Sequence, residues 1–323
     1  MHLTVYLPLV LPLLAAVAAR PLAERLPPPV ATWLLAASAV VLALASSAVL
    51  GLLALTALVR IPWVDAVGEI SGRVTSHNDP ASVPVAIAAG ALLTVAATAA
   101  ARALWRQASA LIAAGRQARR LPGAGQVVVT DDEAADAYTL PGLPCRIVVT
   151  TGMIRALSEP ERQVLLAHER AHACGLHYLF TTAARLAAAA NPLLRPVATA
   201  TGYTVERWAD EHAAAVTGDR HLAARAIARA ALATTAAPPR PASRAAGTLG
   251  AVSALGAVSG PARMRRPGPV PCRVAALLRP PQPPRLLLLA AAVLLVALAG
   301  ASALEAALDF HALLEYAQAV GPS

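Results

Sequence analysis

The sequence predicts an α-helical membrane protein with four transmembrane helices and one α+β domain between the third and fourth helices. Of the 323 residues, 57% are hydrophobic and only 14% are charged, which is too apolar for an ordinary soluble domain. The apolar residues are concentrated in four runs near the two ends of the chain. Only the part between the third and fourth runs has a composition that folds as a globular domain.

Each apolar run is interpreted as a span. The first is short and contains Pro8 and Pro12, but it lacks the basic start of a signal peptide and a second long run follows it. The other three are close to or longer than the roughly 20 residues that a transmembrane helix needs. The predicted spans are Leu3 to Ala19, Ala31 to Val59, Pro84 to Leu104 and Leu286 to Leu304.

The arginines orient these spans. All 27 basic residues are arginine, and several of them follow the third span or precede the fourth, whereas none follows the fourth. The positive-inside rule therefore places the segment from Arg106 to Arg285 in the cytoplasm of a multi-pass cell-membrane protein, and both chain ends outside. Because this rule also explains the net charge of +9, we expect contact with membrane lipid and no direct nucleic acid binding.

Strands and helices are predicted within the central domain. The β-branched runs Gln126 to Thr130 and Arg146 to Thr151 predict strands, with a turn-rich L-P-G-L-P segment between them. Leu176 to Ala190 is mostly apolar, so it either belongs to the core or lies against the membrane. Tyr203 to Thr217 predicts a further helix that ends at Gly218.

Composition divides the chain into four parts. Residues 1–120 hold three spans and a juxtamembrane segment, and residues 121–236 form the central domain. Residues 237–285 are rich in Pro, Ala and Arg without an acidic residue, which predicts a flexible linker that is solvated or rests on anionic lipid. Residues 286–323 give the fourth span and a short extracellular tail. The three cysteines show no paired spacing, so no disulfide framework is expected.

A metal-binding motif lies on the helix predicted after Ser158. His168, Glu169 and His172 spell H-E-x-x-H, and residues four apart lie on one face of a helix. The two imidazoles can therefore bind one cation, while Glu169 reaches its open side and takes a proton from a water there. Ser158 and Glu161 form a capping-box pattern that favours the helix. The alternative is a helix with two packed or surface histidines.

A third protein ligand is expected, because a catalytic zinc usually has three protein ligands and one open position. His177 is one residue early for the metzincin pattern, and one residue turns a helix by about 100°. Glu206 is the preferred ligand, with Asp210 four residues later placed to hydrogen-bond a ligand histidine. A solvated acidic face that includes Glu211 is the alternative.

The remaining histidines, His177, His212 and His221, are predicted to be surface or packing residues. Loss of Glu206 should therefore weaken metal binding most and loss of Asp210 less. Loss of Glu211 or His177 should change it little.

The sequences H-E-R-A-H and E-R-W-A-D together resemble the membrane-bound gluzincin zinc metallopeptidases. These include the prenyl-protein proteases, the bacterial heat-shock membrane proteases and the antirepressor proteases of β-lactam sensor-transducers. The last group also places a cytoplasmic zinc domain between the third and fourth spans, after an A-Y-x-L-P-G segment like Ala137 to Gly142. The sensor-transducers continue into a large extracellular domain, whereas this sequence ends at Ser323, so β-lactam sensing is not expected.

The resemblance implies a zincin-like domain with a Zn²⁺ cofactor. The expected activity is that of a zinc metalloendopeptidase that hydrolyses a cytoplasmic or membrane protein, with a transcriptional repressor as the implied partner. Glu169 would be the catalytic base, with His168, His172 and Glu206 as metal ligands. The edge of the strand from Arg146 to Thr151 would align an extended substrate.

Two other functions remain as alternatives. A site-2-type intramembrane protease also uses H-E-x-x-H, but charged residues crowd this motif helix and its partner motif is not an Asp-Gly pair inside an apolar span. A non-catalytic membrane signal transducer would have no use for the base Glu169.

Overall fold

The computed structural model describes residues 6–59, 83–142, 144–236, 269–279 and 285–320, most of them helical. The helices are α1 (Leu7–Arg25), α2 (Pro28–Val59), α3 (Val83–Arg120), α4 (Thr151–Ala156), α5 (Glu159–Cys174), α6 (His177–Ala190), α7 (Arg195–Thr217), α8 (Arg220–Ala236), α9 (Pro269–Leu277) and α10 (Leu286–Val320). The strands are β1 (Val127–Thr130), β2 (Ala137–Leu140) and β3 (Arg146–Thr150). The predicted outer loop 60–81 lies outside the described residues.

Four helices are long and apolar enough to cross a membrane: α1, α2 as far as Leu55, α3, and α10 as far as Glu305. They correspond to the four predicted spans. Three continue further than predicted, α1 to Arg25, α3 to Arg120 and α10 to Val320. The continuation of α3 is explained by the absence of proline between Pro84 and Pro122, because a fall in hydropathy does not by itself end a helix.

The three strands form one sheet in the order β1-β3-β2. β3 is parallel to β1 and antiparallel to β2, and all of its residues are buried. The strand predicted to offer an edge to a substrate is therefore the central one, and that prediction is wrong. In the described part of the chain the outer edge of β2 pairs with no further strand.

Helices cover both faces of this sheet. The C-terminal extension of α3 packs on one face, where its alanines meet Leu140 and Val148. Helices α4 and α5 cover the other face. The buried residues on that side are Ala135, Ile147, Val149, Met153 and Leu157.

Helices α6 and α7 are joined by a short 3₁₀ turn at Pro192–Leu194 and form an antiparallel hairpin. The predicted helix Tyr203–Thr217 is only the second half of α7, which begins at Arg195 with Pro196 in its first turn. The first half of α7 packs against α1 and α2, and α6 packs against α2 and α3. This packing supplies the stability that the Gly- and Thr-containing stretch lacks on its own.

Part of the predicted linker is ordered. Pro269–Leu277 forms α9, which packs against α7 and α8 and buries Leu277 completely. The prediction of a flexible linker is therefore wrong for these nine residues, which are helical. Their Val and Leu side chains find an apolar surface on α8, a helix that was not predicted. Residues 237–268 and 280–284 of the linker lie outside the described part of the chain.

Candidate functional site

Helix α5 carries the H-E-x-x-H motif, and its first turn fixes where the helix begins. The carboxylate of Glu161 accepts hydrogen bonds from the backbone N–H of Ser158 at 2.9 Å and from its hydroxyl at 2.8 Å. Arg229 of α8 donates a further bond to the same carboxylate at 2.9 Å. The Ser158–Glu161 pairing confirms the predicted start of the helix, and the arginine ties that start to α8.

The three predicted metal ligands converge between α5 and α7. Nε2 of His168 lies 3.1 Å from Nε2 of His172 and 3.6 Å from Oε2 of Glu206. Nε2 of His172 lies 3.7 Å from Oε1 of Glu206. Nitrogen and oxygen ligands around a tetrahedral zinc lie about 3.3 Å apart. The donor set and its spacing therefore fit one zinc ion, and the ligand atoms lie within 4.8 Å of one another.

Asp210 lies behind His168, on the side away from this cluster. Its Oδ1 is 3.0 Å from Nδ1 of His168, and Asp210 is only 1% exposed. Burial lowers the pKa of His168, but the neighbouring Asp210 and Glu206 carboxylates outweigh it and raise the pKa to about 10. The two carboxylates thus make the pocket attractive to a positive charge, which a cation can supply in place of the proton.

Glu169 lies beside the cluster, with its carboxylate held by β2. The hydroxyl of Thr139 lies 2.9 Å from Oε2 of Glu169 and 3.0 Å from the backbone oxygen of the same residue. Burial raises the pKa of Glu169, which makes its carboxylate a better proton acceptor. Sequence reasoning missed Thr139, whose only signal is its place in the A-Y-x-L-P-G segment.

Arg273 of α9 is a further component that the sequence did not reveal. Its guanidinium binds Asp210 through two hydrogen bonds, Nε to Oδ2 at 2.7 Å and Nη2 to Oδ1 at 2.6 Å. Its Nη1 also lies 3.0 Å from Oε2 of Glu206. Burial raises the pKa of both carboxyls, but Arg273 and the histidines outweigh it and lower the pKa of Glu206 and of Asp210. Both carboxylates therefore stay ionised.

His177, predicted to be a surface or packing residue, is a buried packing residue beside the cluster. It is 2% exposed, its Nδ1 lies 3.0 Å from Nδ1 of His172, and its ring lies 4.7 Å from that of Trp208. The expected turn of the helix away from the site does not occur, because α5 ends at Cys174 and Leu176 takes a left-handed conformation with φ of 48°. This break returns His177 to the side of the metal-binding residues. His212 and His221 are exposed.

A cleft opens beside Glu169 and Glu206. Its cavity volume is about 100 Å³, and one wall is polar and formed by site residues that include His168 and Arg273. The other wall is apolar and comes from four helices and the turn before β2. Its apolar residues include Met153, Val164, Leu165, Ile227, Ala230 and Val270.

Comparison with known proteins identifies part of the chain. Residues 99–201 match the sequence model of peptidase family M48. This segment is similar to the peptidases of family M48. The match begins in α3, contains the H-E-x-x-H motif and ends before Glu206. It confirms the resemblance to membrane zinc metallopeptidases at the level of the family. No curated protein and no solved structure matches the chain.

The similarity to family M48 and the four apolar helices together support a membrane-bound protease. Members of the family generally depend on zinc, in agreement with the His-His-Glu cluster.

Proposed function

We propose that the chain is a zinc-dependent membrane metalloendopeptidase. The observation that carries the proposal is the convergence of His168, His172 and Glu206 within 4.8 Å, with Glu169 next to them. His168, His172 and Glu206 are the proposed ligands, and Asp210 is the residue that positions His168. Zinc bound there would polarise the scissile carbonyl and lower the pKa of water towards neutrality.

Glu169 is the proposed general base. Its buried carboxylate accepts a proton from the attacking water, which adds its oxygen to the carbonyl carbon. The same carboxyl then delivers that proton to the amide nitrogen as the carbon–nitrogen bond breaks. One water is consumed, and the products are a carboxylate and an amine. Thr139 holds the Glu169 carboxylate at 2.9 Å, which limits its rotation between the two proton transfers.

The outer edge of β2, which pairs with no further strand in the described part of the chain, is the proposed substrate-aligning element. β2 lies directly beside Glu169, since Thr139 belongs to this strand. An extended peptide that pairs with β2 would have its backbone fixed next to the base, and a side chain next to the scissile bond would enter the apolar cleft. A cavity of about 100 Å³ suits an aliphatic side chain better than an indole.

The proposed substrate is a cytoplasmic or membrane protein, and a transcriptional repressor is the candidate that the resemblance implies. The arginine distribution supports a cytoplasmic catalytic domain. A reporter fused after Arg120 or Ala236 should then be cytoplasmic, and one fused at Ser323 or within residues 60–81 should be external. A cytoplasmic reporter at Ser323 would contradict the four-span topology.

The decisive experiment for the activity uses purified full-length protein in detergent and a library of quenched peptides. Zinc-loaded protein should cleave peptides, and chelation followed by zinc should remove and restore that cleavage. Glu169→Gln should lower the rate by about 10²–10⁴-fold and keep one equivalent of zinc. Loss of zinc from this variant would contradict the role of base, and full activity after complete chelation would contradict a metallopeptidase.

A further inference from the structure

We infer that residues 178–204, which are α6 and the first half of α7, form a re-entrant hairpin inserted into the membrane among the first three spans. This inference goes beyond the proposed function and does not depend on catalysis. Hydropathy does not detect the hairpin, since only α1, α2, α3 and α10 qualify as candidate spans. The contacts of the hairpin with those spans are the evidence.

The tip of the hairpin contacts spans deep in the apolar region. Nδ2 of Asn191 donates to Oγ of Ser46 at 3.2 Å, and that Oγ donates to the backbone oxygen of Pro8 at 2.8 Å. Pro8 lies at the end of α1 that is remote from Arg25, and Ser46 lies far along α2. The turn between α6 and α7 is therefore level with the remote end of α1.

The open end of the hairpin contacts the other ends of the same spans. Oγ1 of Thr32 donates to Oγ1 of Thr204 at 2.9 Å, near the start of α2. Arg207 donates to the backbone oxygen of Ala23, near the end of α1. The distance between these two levels along α1, from Pro8 to Ala23, is about 22 Å.

These contacts fix a consistent alignment, with α7 parallel to α1 and antiparallel to α2. The stretch of α2 between Thr32 and Ser46 contains no charged residue. A segment that follows it over roughly 20 Å must enter most of the roughly 30 Å hydrocarbon layer. Side chains from α1, α2, α6 and α7 form one continuous apolar cluster there.

Several polar groups of the hairpin are hydrogen-bonded, either within it or to α2, as hydrocarbon requires. The hydroxyls of Thr199 and Thr201 donate to backbone oxygens one turn earlier, at 3.0 Å and 2.9 Å. Thr204 is fully buried and accepts the bond from Thr32 while donating to the backbone oxygen of Thr201 at 2.9 Å. Such internal bonds let threonines lie in an apolar environment.

Arg185 opposes insertion, and α6 with its 14 residues is too short to qualify as a span by itself. A central arginine costs about 2.5–3.5 kcal/mol on the membrane-insertion scale. Here it lies half-buried on α6, which is flanked by α2 and α3 and not surrounded by lipid. Arg195, at the tip, is exposed at the level of the remote headgroups, where a long basic side chain is favourable.

The hairpin places the candidate metal site at the membrane surface. Glu206 lies two residues after Thr204, which is level with Thr32 near the start of α2. Trp33, 62% exposed, lies at this level and contacts Phe180 of α6 with ring centroids 4.7 Å apart. An exposed Trp is typical of the interface between membrane and water. Peptide bonds within reach of the site are thus close to that interface.

Cysteine labelling of full-length protein in liposomes tests the insertion. In a background with Cys145, Cys174 and Cys272 replaced by Ala, Leu193→Cys is compared with Leu44→Cys on α2 and Leu232→Cys on α8. All three leucines are at least 41% exposed, so the substitutions should not disturb the core. An apolar environment raises the pKa of a thiol, and each unit of increase lowers the fraction of reactive thiolate about tenfold.

Leu193→Cys should react with a membrane-impermeant maleimide at least tenfold more slowly than Leu232→Cys. Leu44→Cys, on a span, should show the same slow reaction. Labelling of Leu193→Cys only from the opposite side of the membrane would also support insertion. Equal labelling of Leu193→Cys and Leu232→Cys from the same side would overturn the hairpin.

Cross-linking checks the alignment without relying on reactivity. With a short bifunctional thiol reagent, the pairs Ser46→Cys with Asn191→Cys and Thr32→Cys with Thr204→Cys should cross-link. The mismatched pairs, 46 with 204 and 32 with 191, should not. Cross-linking of the mismatched pairs at equal yield would show that α7 does not follow α2 as described.

Discussion

Helices α5 and α9 both contribute to the candidate site, but they differ in how much their sequences reveal. Helix α5 carries H-E-x-x-H on one face and a capping residue at its start, so its role follows from spacing within one segment. Helix α9 is a nine-residue helix in a Pro- and Arg-rich stretch, yet its Arg273 binds two of the site's carboxylates. Local spacing predicts the two candidate ligands on α5, and only the tertiary structure reveals the contacts that hold the cluster in place.

Four variants, each with a control, test this comparison. The largest expected effect is the loss of zinc affinity when a ligand is removed. Glu206→Ala should weaken zinc binding by more than the 10–100-fold typical of residues behind the ligands, because it removes one of three donors. Glu211→Ala is the matched control, since Glu211 bonds Arg220 at 2.6 Å and 2.9 Å and takes no part in the cluster. Competition with a fluorescent zinc chelator measures both. Equal affinities would show that Glu206 is not a ligand.

The next effect tests the contribution of α9. Arg273→Ala leaves Asp210 buried without its charged partner, which destabilises a protein by about 3–5 kcal/mol. Zinc affinity should also fall by about 10–100-fold. Arg273→Lys should recover little, because an ammonium lacks the planar fork that binds a carboxylate twice. Thermal unfolding in detergent and zinc competition measure these changes.

Exposed Arg279, just beyond α9, supplies the control for this prediction. Arg279→Ala should leave both the unfolding temperature and the zinc affinity unchanged. If Arg273→Ala behaves like Arg279→Ala, then α9 is not needed at the site and α5 and α7 are sufficient.

The elements that sequence predicts well are those whose signals are local. The four apolar helices, β1, β3 and the start of α5 follow from hydropathy, β-branched runs and capping chemistry. Glu206 and Asp210 are also proposed from the sequence, because two histidines alone leave a zinc site without its usual third protein ligand. These inferences need no knowledge of distant contacts.

The missed features depend on contacts between distant segments. Arg273 binds Asp210 across 63 residues, and Asn191 binds Ser46 across 145. The position of His177 depends on a chain reversal at Leu176, a residue type with no preference for positive φ. Helical or strand periodicity predicts none of these three features. The spacing of His177 from His172 therefore led to the incorrect expectation that its side chain faces away from the site.

His177 therefore provides a smaller, intermediate test. Its ring lies 3.0 Å from His172 and leaves that residue's Nε2 directed at the cluster. His177→Ala should reduce zinc affinity by about tenfold, at the low end of the range for residues that orient a ligand. The d–d spectrum of the cobalt-substituted protein should shift as well. Exposed His212 is the control, and His212→Ala should change neither quantity.

An unchanged cobalt spectrum in His177→Ala would show that this histidine only packs against its neighbours, as the sequence analysis expects. Recovery of the spectrum in His177→Asn, which keeps a polar group beside His172, would support orientation through that contact.

The smallest expected effect concerns the start of α5, where the sequence was most informative. Glu161 is 3% exposed and accepts bonds from Ser158 and Arg229. Glu161→Gln removes the charge that these donors face, so it should destabilise the protein by about 0.5–2 kcal/mol, the range for a lost helix cap. Glu159→Gln is the control from the same turn, because exposed Glu159 contacts only Arg162 at 3.1 Å in the described structure.

Zinc affinity should remain unchanged in Glu161→Gln, because the first turn of α5 is two helical turns away from His168 and none of its bonds involve the metal-binding residues. Unfolding temperature and zinc competition, measured on the same samples, separate the two quantities. If Glu161→Gln reduces zinc affinity as strongly as Arg273→Ala, then the start of α5 supports the cluster as much as α9 does. Capping and site geometry would then be one coupled unit, and the arginine from α9 would be only one of several supports of equal weight.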